Sequence, residues 1–252
     1  MTPMWDAAAF LKPIAHRGLH DVTAGRVENT AAAFSAALAK GYGIECDVRP
    51  SACATPMIFH DDTLERLVEH SGLVHAHDAP ALKRFKFRNG SDCMIDLGEL
   101  LELVAGRQPV LAEIKSEWQP PDPAFVGAIA KLAASYKGPL ALMSYDPAVM
   151  TMLKELVPQV PRGIVSGPIE EEPHWRGLLG PERAYRLSHL LESRQAAPDF
   201  YAYHVGALPT SVTRFVREVL AMPLFAWTVR TQEDRATAAR WADAPIFEGY
   251  EP

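Results

Sequence analysis

Ile44-Glu45-Cys46-Asp47-Val48 is followed, after Pro50-Ser51-Ala52-Cys53-Ala54-Thr55-Pro56, by Met57-Ile58-Phe59-His60-Asp61. The first and last of these runs have the apolar content of strands, and the middle one is small and turn-prone. Alternate side chains of a strand share a face, so Glu45 and Asp47 point one way and Cys46 the other. A fold-back between Cys53 and Ala54 sets His60 opposite Asp47, bringing an imidazole to a pair of carboxylates. A surface hairpin with incidental acids is the plainer alternative. Acids are depleted in strands, however, and burying them unneutralised is costly unless a cation removes the penalty. The stretch therefore predicts a place where a metal and a base meet.

Working outward, short apolar runs alternate with helix-like segments. Pro13-Ile14-Ala15 leads into His16-Arg17-Gly18. Glu28-Asn29-Thr30 then opens an alanine-rich helix to Lys40, with Asn29 or Thr30 as its cap and Gly41 as its stop. Helices are expected over 96–105, 123–136, from Asp146-Pro147 to about Leu156, over 182–195, 210–221 and 232–241. Strands are expected near positions 14, 45, 111, 141, 164, 201, 226 and 246, and 167–180 reads as loop. Strands alternating with helices imply a parallel sheet, and this number fits a (β/α)8 TIM-type barrel of the α/β class. No Gly-x-Gly-x-x-Gly follows a strand, which argues against a dinucleotide-binding open sheet. His16, Asp47, Lys115 and Trp227 each fall late in a strand or just after it, at the barrel end that carries chemistry.

The chain has 252 residues, 48% hydrophobic and 22% charged, enough for one barrel domain with a sizeable core. Its net charge of −6 argues against a nucleic-acid surface. Cys46, Cys53 and Cys93 lack metal-ligand spacing and form an odd set, which suits a reduced, cytoplasmic chain. The start, Met1 to Asp6, has no basic and apolar leader pattern, and no apolar run is long enough to span a membrane. His70, His75 and His77 lie in 62–98 beside the basic run Lys83 to Arg88, but no cysteine pair or acid completes a zinc set.

His16-Arg17-Gly18, Glu28-Asn29-Thr30, Glu45-x-Asp47, His60-Asp61, Glu113-x-Lys115 and Trp227-Thr228 occur in this order along most of the chain. Together they resemble the glycerophosphodiester phosphodiesterases, barrel enzymes with a small insertion after the His-Asp motif. The resemblance implies one barrel domain over 1–252, with 62–98 as the insertion after the second strand's hairpin. It implies that Glu45, Asp47 and Glu113 hold a divalent cation and that His16 and His60 are the acid–base pair. Arg17 and Lys115 would contact the phosphate, and Trp227 would pack beside the glycerol end of a small glycerophosphodiester substrate. Two departures stand out. The hairpin turns through Ser51-Ala52-Cys53-Ala54 where the family often has Thr-x-Asp-Gly, and Glu248-Gly249 replaces the usual late Thr-Asp.

These residue types suit metal-dependent hydrolysis to glycerol 3-phosphate and an alcohol. Three carboxylates without sulfur favour a hard cation, Mg²⁺ or Ca²⁺. Cations stabilise charge growing on the phosphoryl group, and imidazoles can take one proton and give another near neutral pH. The alternatives are a non-catalytic phosphodiester-binding barrel and a related lysophospholipase D-type enzyme.

Overall fold

Each barrel strand is a nearly unbroken apolar run because both of its faces are covered, one by the barrel interior and one by helices. The computed structural model describes residues 6–252, so Met1–Trp5, the bulk of the start read above as lacking a leader, lies outside the described residues. β1 (Ile14–Ala15) pairs in parallel with both β2 (Gly43–Pro50) and β9 (Ala244–Phe247). The short β3 (Pro56–Ile58) runs antiparallel to β2 as the hairpin's return arm. Parallel pairing then passes from β2 through β4 (Val110–Ile114), β5 (Leu140–Ser144), β6 (Arg162–Ser166), β7 (Phe200–His204) and β8 (Leu224–Val229) to β9. The ring closes at β1, giving an eight-stranded parallel barrel of TIM type.

Around it lie α1 (Ala31–Lys40), α2 (Ala79–Leu82), α3 (Leu97–Val104), α4 (Pro123–Ser135), α5 (Pro147–Leu156), α6 (Pro173–Leu179), α7 (Pro181–Ser188), α8 (Ser193–Ala196), α9 (Ser211–Glu218) and α10 (Gln232–Trp241). Local chemistry sets their ends. Thr30, not Asn29, caps α1, and Gly41 closes it in the left-handed region at φ 75°. Asp96 and Glu99 form a reciprocal capping box at the start of α3.

Strand alternation separates two cores. Ile14, Leu111, Met143, Val165, Phe200 and Phe225 fill the barrel interior, whereas Ile44, Cys46, Val48, Ala112 and Leu142 pack outward under the helices. Phe200 occupies space that only a glycine leaves, since a Cβ on Gly163 would lie 2.1 Å from its ring. By the same alternation Glu45, Asp47 and Glu113 project inward.

The structure differs from expectation in three places. Val48 faces Ile58 and Arg49 faces Met57, so Phe59 and not His60 stands opposite Asp47. The turn centres on Cys53 because Ala54 takes φ 60° and the Ser51 hydroxyl accepts from the Thr55 N–H at 3.0 Å. His60 lies beyond the end of β3 and reaches the site from there. Second, 167–180 is not all loop: α6 forms behind Pro173 because Trp175 and Leu179 pack on Ile169, Ala184 and Leu187. Third, the helix expected over 182–195 divides into α7 and α8, with Leu190 at φ 58° between them.

From 62 to 96 the chain leaves the barrel and builds a satellite core. Leu64, Val68, Leu82, Phe87 and Met94 close over Met57 and Phe59 of the hairpin. His70 stacks on Phe85 at 4.0 Å and His77 meets the same ring edge-on. Lys83 pairs with Asp96 and Glu99.

Candidate active site

The register that pairs Asp47 with Glu113 also sets Glu45 beside Leu111, so three inward acids meet at the carboxyl end of β2 and β4. One oxygen from each lies within 4.8 Å of the others, and the residues are 1%, 1% and 8% exposed. Among the described residues this is the only such group of metal-type donors.

Cations and backbone donors offset part of the repulsion. Lys115 Nζ lies 2.5 Å from Glu113 Oε1 and 2.8 Å from Asp47 Oδ1. Arg17 Nε is 3.2 Å from Asp47 Oδ2, and the Asn29 amide donates to that same oxygen at 2.8 Å. The Arg17 backbone N–H donates to Glu45 Oε2 at 2.9 Å. That donor is aimed by the His-Arg-Gly turn, where Arg17 and Gly18 have φ 57° and 78° in succession. Gly18 is required there, since a Cβ would lie 2.8 Å from the Ala33 backbone.

Burial, then the charges of Asp47 and Glu113, push the Glu45 carboxyl well above its usual range. Burial would also raise Asp47, but Lys115, His60 and Arg17 outweigh it and hold that carboxyl far below. Burial would lower Lys115, yet Asp47 and Glu113 raise it, so the ammonium stays charged. Glu45 Oε1 is buried with no hydrogen-bond partner. An all-carboxylate trio with an unfilled acceptor fits a hard divalent cation.

His16 follows β1. Its Nδ1 lies 2.5 Å from Glu248 Oε2, and its Nε2 is 3.9 Å from Glu45 Oε2. His60 Nδ1 lies 2.7 Å from Asp61 Oδ1, and Arg66 holds Asp61 through Nε at 2.5 Å. Arg49 Nε donates to the His60 carbonyl at 2.6 Å. His60, Glu113 and Lys115 line one cavity of about 220 Å³ together with Trp118, Tyr145 and Trp175. Tyr145 and Trp175 stack at 5.6 Å, and Trp118 meets Trp175 edge-on at 5.6 Å. Trp227 on β8 donates its indole N–H to the Ser166 carbonyl at 3.2 Å and meets Tyr145 edge-on at 5.7 Å.

All eight residues singled out in the sequence thus lie at one barrel mouth: His16, Arg17, Glu45, Asp47, His60, Glu113, Lys115 and Trp227. The sequence reading gave no role to Glu248, Arg66, Tyr145, Trp118 or Trp175. Asp61 and Asn29 at least carried a signal, adjacency to His60 and a place in Glu28-Asn29-Thr30. The Arg17 guanidinium bonds Glu28 at 2.7 Å, which gives that motif's acid its place as well.

The sequence pattern of the glycerophosphoryl diester phosphodiesterase family matches residues 16–247. The chain belongs to this family. As a member it is a phosphodiesterase of the glycerophosphodiester class.

Solved structures of the family share the barrel. A phosphodiesterase from Oleispira antarctica, solved in complex with the product sn-glycerol-3-phosphate, is 22% identical. It has a TM-score of 0.74, over 96% of this chain and 94% of that one. A glycerophosphodiester phosphodiesterase from Thermotoga maritima is 21% identical, with a TM-score of 0.69 over 94% and 93% of the two chains. One from Parabacteroides distasonis is 18% identical, with a TM-score of 0.73 over 94% and 92%. No curated protein sequence matches the chain.

Proposed function

We propose that this phosphodiesterase cleaves glycerophosphodiesters to glycerol 3-phosphate and an alcohol. In this reading Glu45, Asp47 and Glu113 hold one Mg²⁺ or Ca²⁺, and His16 and His60 move the protons. One observation carries the reading: a buried acid trio with an unfilled oxygen, flanked by two imidazoles that are each held at Nδ1 by a carboxylate.

When bound, the divalent ion would neutralise phosphate charge and stabilise the negative charge that grows on the phosphoryl oxygens. Lys115 and Arg17 are cations in contact with the acid trio, and both stay protonated because the acids beside them raise their affinity for protons. They bind and orient the anionic phosphodiester, a substrate that the overall negative charge of the protein does not attract. One imidazole takes a proton from the attacking oxygen, of water or of a neighbouring substrate hydroxyl, and the other gives one to the leaving alcohol oxygen. After hydroxyl attack, water then opens the cyclic phosphate to glycerol 3-phosphate. Trp227 is pinned by its indole N–H and offers an apolar edge to the glycerol carbons, and Tyr145, stacked on Trp175, continues that aromatic wall beside it.

The cysteines at 46, 53 and 93 are all free, which supports a reduced compartment such as the cytoplasm. Among the described residues no helix is long and apolar enough to cross a membrane.

The test starts from chelator-treated protein given Mg²⁺ or Ca²⁺ with glycerophosphocholine, glycerophosphoethanolamine or glycerophosphoglycerol. Phosphorus NMR should show glycerol 3-phosphate appearing only with metal. Turnover that ignores the chelator, or a cyclic phosphate as the end product, would count against the proposal.

A further inference from the structure

His16 is contested by two carboxylates. Glu248 Oε2 lies 2.5 Å from Nδ1, and Glu45 Oε2 lies 3.9 Å from Nε2. A neutral imidazole has one N–H to give, and the hydrogen bond made by one ring nitrogen decides the state of the other. The distances favour Glu248. Its backbone N–H donates to the Val229 carbonyl at 3.1 Å, which ties the residue to the end of β8 just after it leaves β9. Its other oxygen accepts from Arg230 Nε at 2.6 Å, and His20 Nε2 stands 3.5 Å from Oε2. The carboxylate therefore has its position set by two strands and an arginine before His16 is counted. It also stands where this chain departs from the family's usual Thr-Asp.

We propose that Glu248 is the positioning residue of His16: it keeps the ring proton on Nδ1, so that Nε2 carries the lone pair that meets the substrate's proton. The proposal rests on the reading of His16 as a proton-transfer group given above. Without Glu248, the Nε2–H form that donates toward Glu45 is the remaining choice, and the nitrogen facing the reaction becomes a donor.

An isosteric change sharpens this. Arg230 only donates, so in Glu248→Gln the amide oxygen turns to Arg230 and the NH2 faces His16 Nδ1. That nitrogen must then accept, and the proton moves to Nε2 with the shape of the site unchanged.

The test uses the full chain labelled with ¹⁵N-histidine. In the unsubstituted protein, His16 should show a pyrrole-like Nδ1 and a pyridine-like Nε2, and Glu248→Gln should exchange the two signatures. The same variant should lose on the order of 10²-fold or more in kcat with KM within about threefold, as expected when a base is held in the wrong tautomer. Glu248→Ala should likewise lose the Nδ1–H signature. A native His16 protonated on Nε2, or an unchanged tautomer in both variants, would overturn the proposal. The underlying reading fails separately. If His16→Ala keeps full activity while the native tautomer is as stated, Glu248 still orders the ring but His16 moves no proton.

Discussion

The two histidines of the site are supported by the same chemistry assembled in opposite ways. At the hairpin corner, His60, Asp61 and Arg66 lie within seven consecutive residues, and Arg66 also grips Glu28 through both carboxylate oxygens at 2.8 and 2.9 Å. At the closing corner, His16 meets Glu248 across 232 positions, and Arg230 completes the set from a third strand end. The hairpin set is built by local backbone geometry and leaves the His60 side chain 33% exposed. The closing set exists only because β9 returns to β1, and it leaves the His16 side chain 10% exposed. On the proposed reading, the accessible ring would serve the departing alcohol and the enclosed one would take a proton beside the acid trio. The contrast teaches that one functional unit can be written locally or left to the topology.

The largest effect should come from removing either ring. His16→Ala and His60→Ala are each expected to lower kcat on the order of 10²–10⁴-fold, with circular dichroism unchanged. If only one of them matters, the parallel between the corners is false, and the variant that loses activity marks the corner that does the proton work.

The same contrast explains what could be read from sequence. The strands were legible because each is an apolar run of the right length between turn residues, and α10 was placed to the residue by its flanks. Acids at 45 and 47 were legible because a strand has no use for two charges on its inward face. The hairpin register was missed by one residue because a left-handed Ala54 adds to the turn, and nothing about an alanine announces that. α6 was hidden by Pro173, Gly177 and Gly180, since its stability comes from Trp175 and Leu179 on a partner surface and not from its own propensity. Glu248 was seen as a departure from the family pattern, but its partner was not, because no local spacing links it to His16.

A second comparison sets the acid trio against the hairpin acids. The Asp61 carboxyl is held far below its usual range: burial would raise it, and His60 and Arg66 outweigh that. Its folded form stays ionised where the unfolded chain takes up a proton, so it adds stability above about pH 4 that is lost as pH falls. Glu45 has the opposite sign. Its folded value is raised, so it costs the metal-free protein stability progressively as pH rises from about 4, where the unfolded carboxyl ionises, toward the raised value. Glu45→Gln should therefore raise the stability of the chelator-treated protein at pH 7, on the order of 1–2 kcal/mol. Added Mg²⁺ or Ca²⁺ should then no longer raise its melting temperature. A variant that melts lower than its parent without metal would show that Glu45 is already relieved by its neighbours.

The smallest effects come from the arginines and test whether the two supports are matched in strength. Arg66 makes two contacts to Asp61 and two to Glu28, so its loss leaves two carboxylates leaning on His60 and Arg17 alone. Arg230 makes one contact to Glu248 through Nε, and its side chain is 52% exposed. Glu248 keeps its backbone tie to Val229 whether or not the arginine is present. Arg66→Ala should thus cost on the order of 1 kcal/mol of stability, the upper end for exposed ion pairs, because its geometry is bidentate and networked. Arg230→Ala should cost about 0.5 kcal/mol or less and lower kcat only a few-fold. Chemical denaturation of both variants decides the order. Equal losses would mean that the closing corner draws as much from its arginine as the hairpin does, and that topology alone does not hold Glu248 against His16.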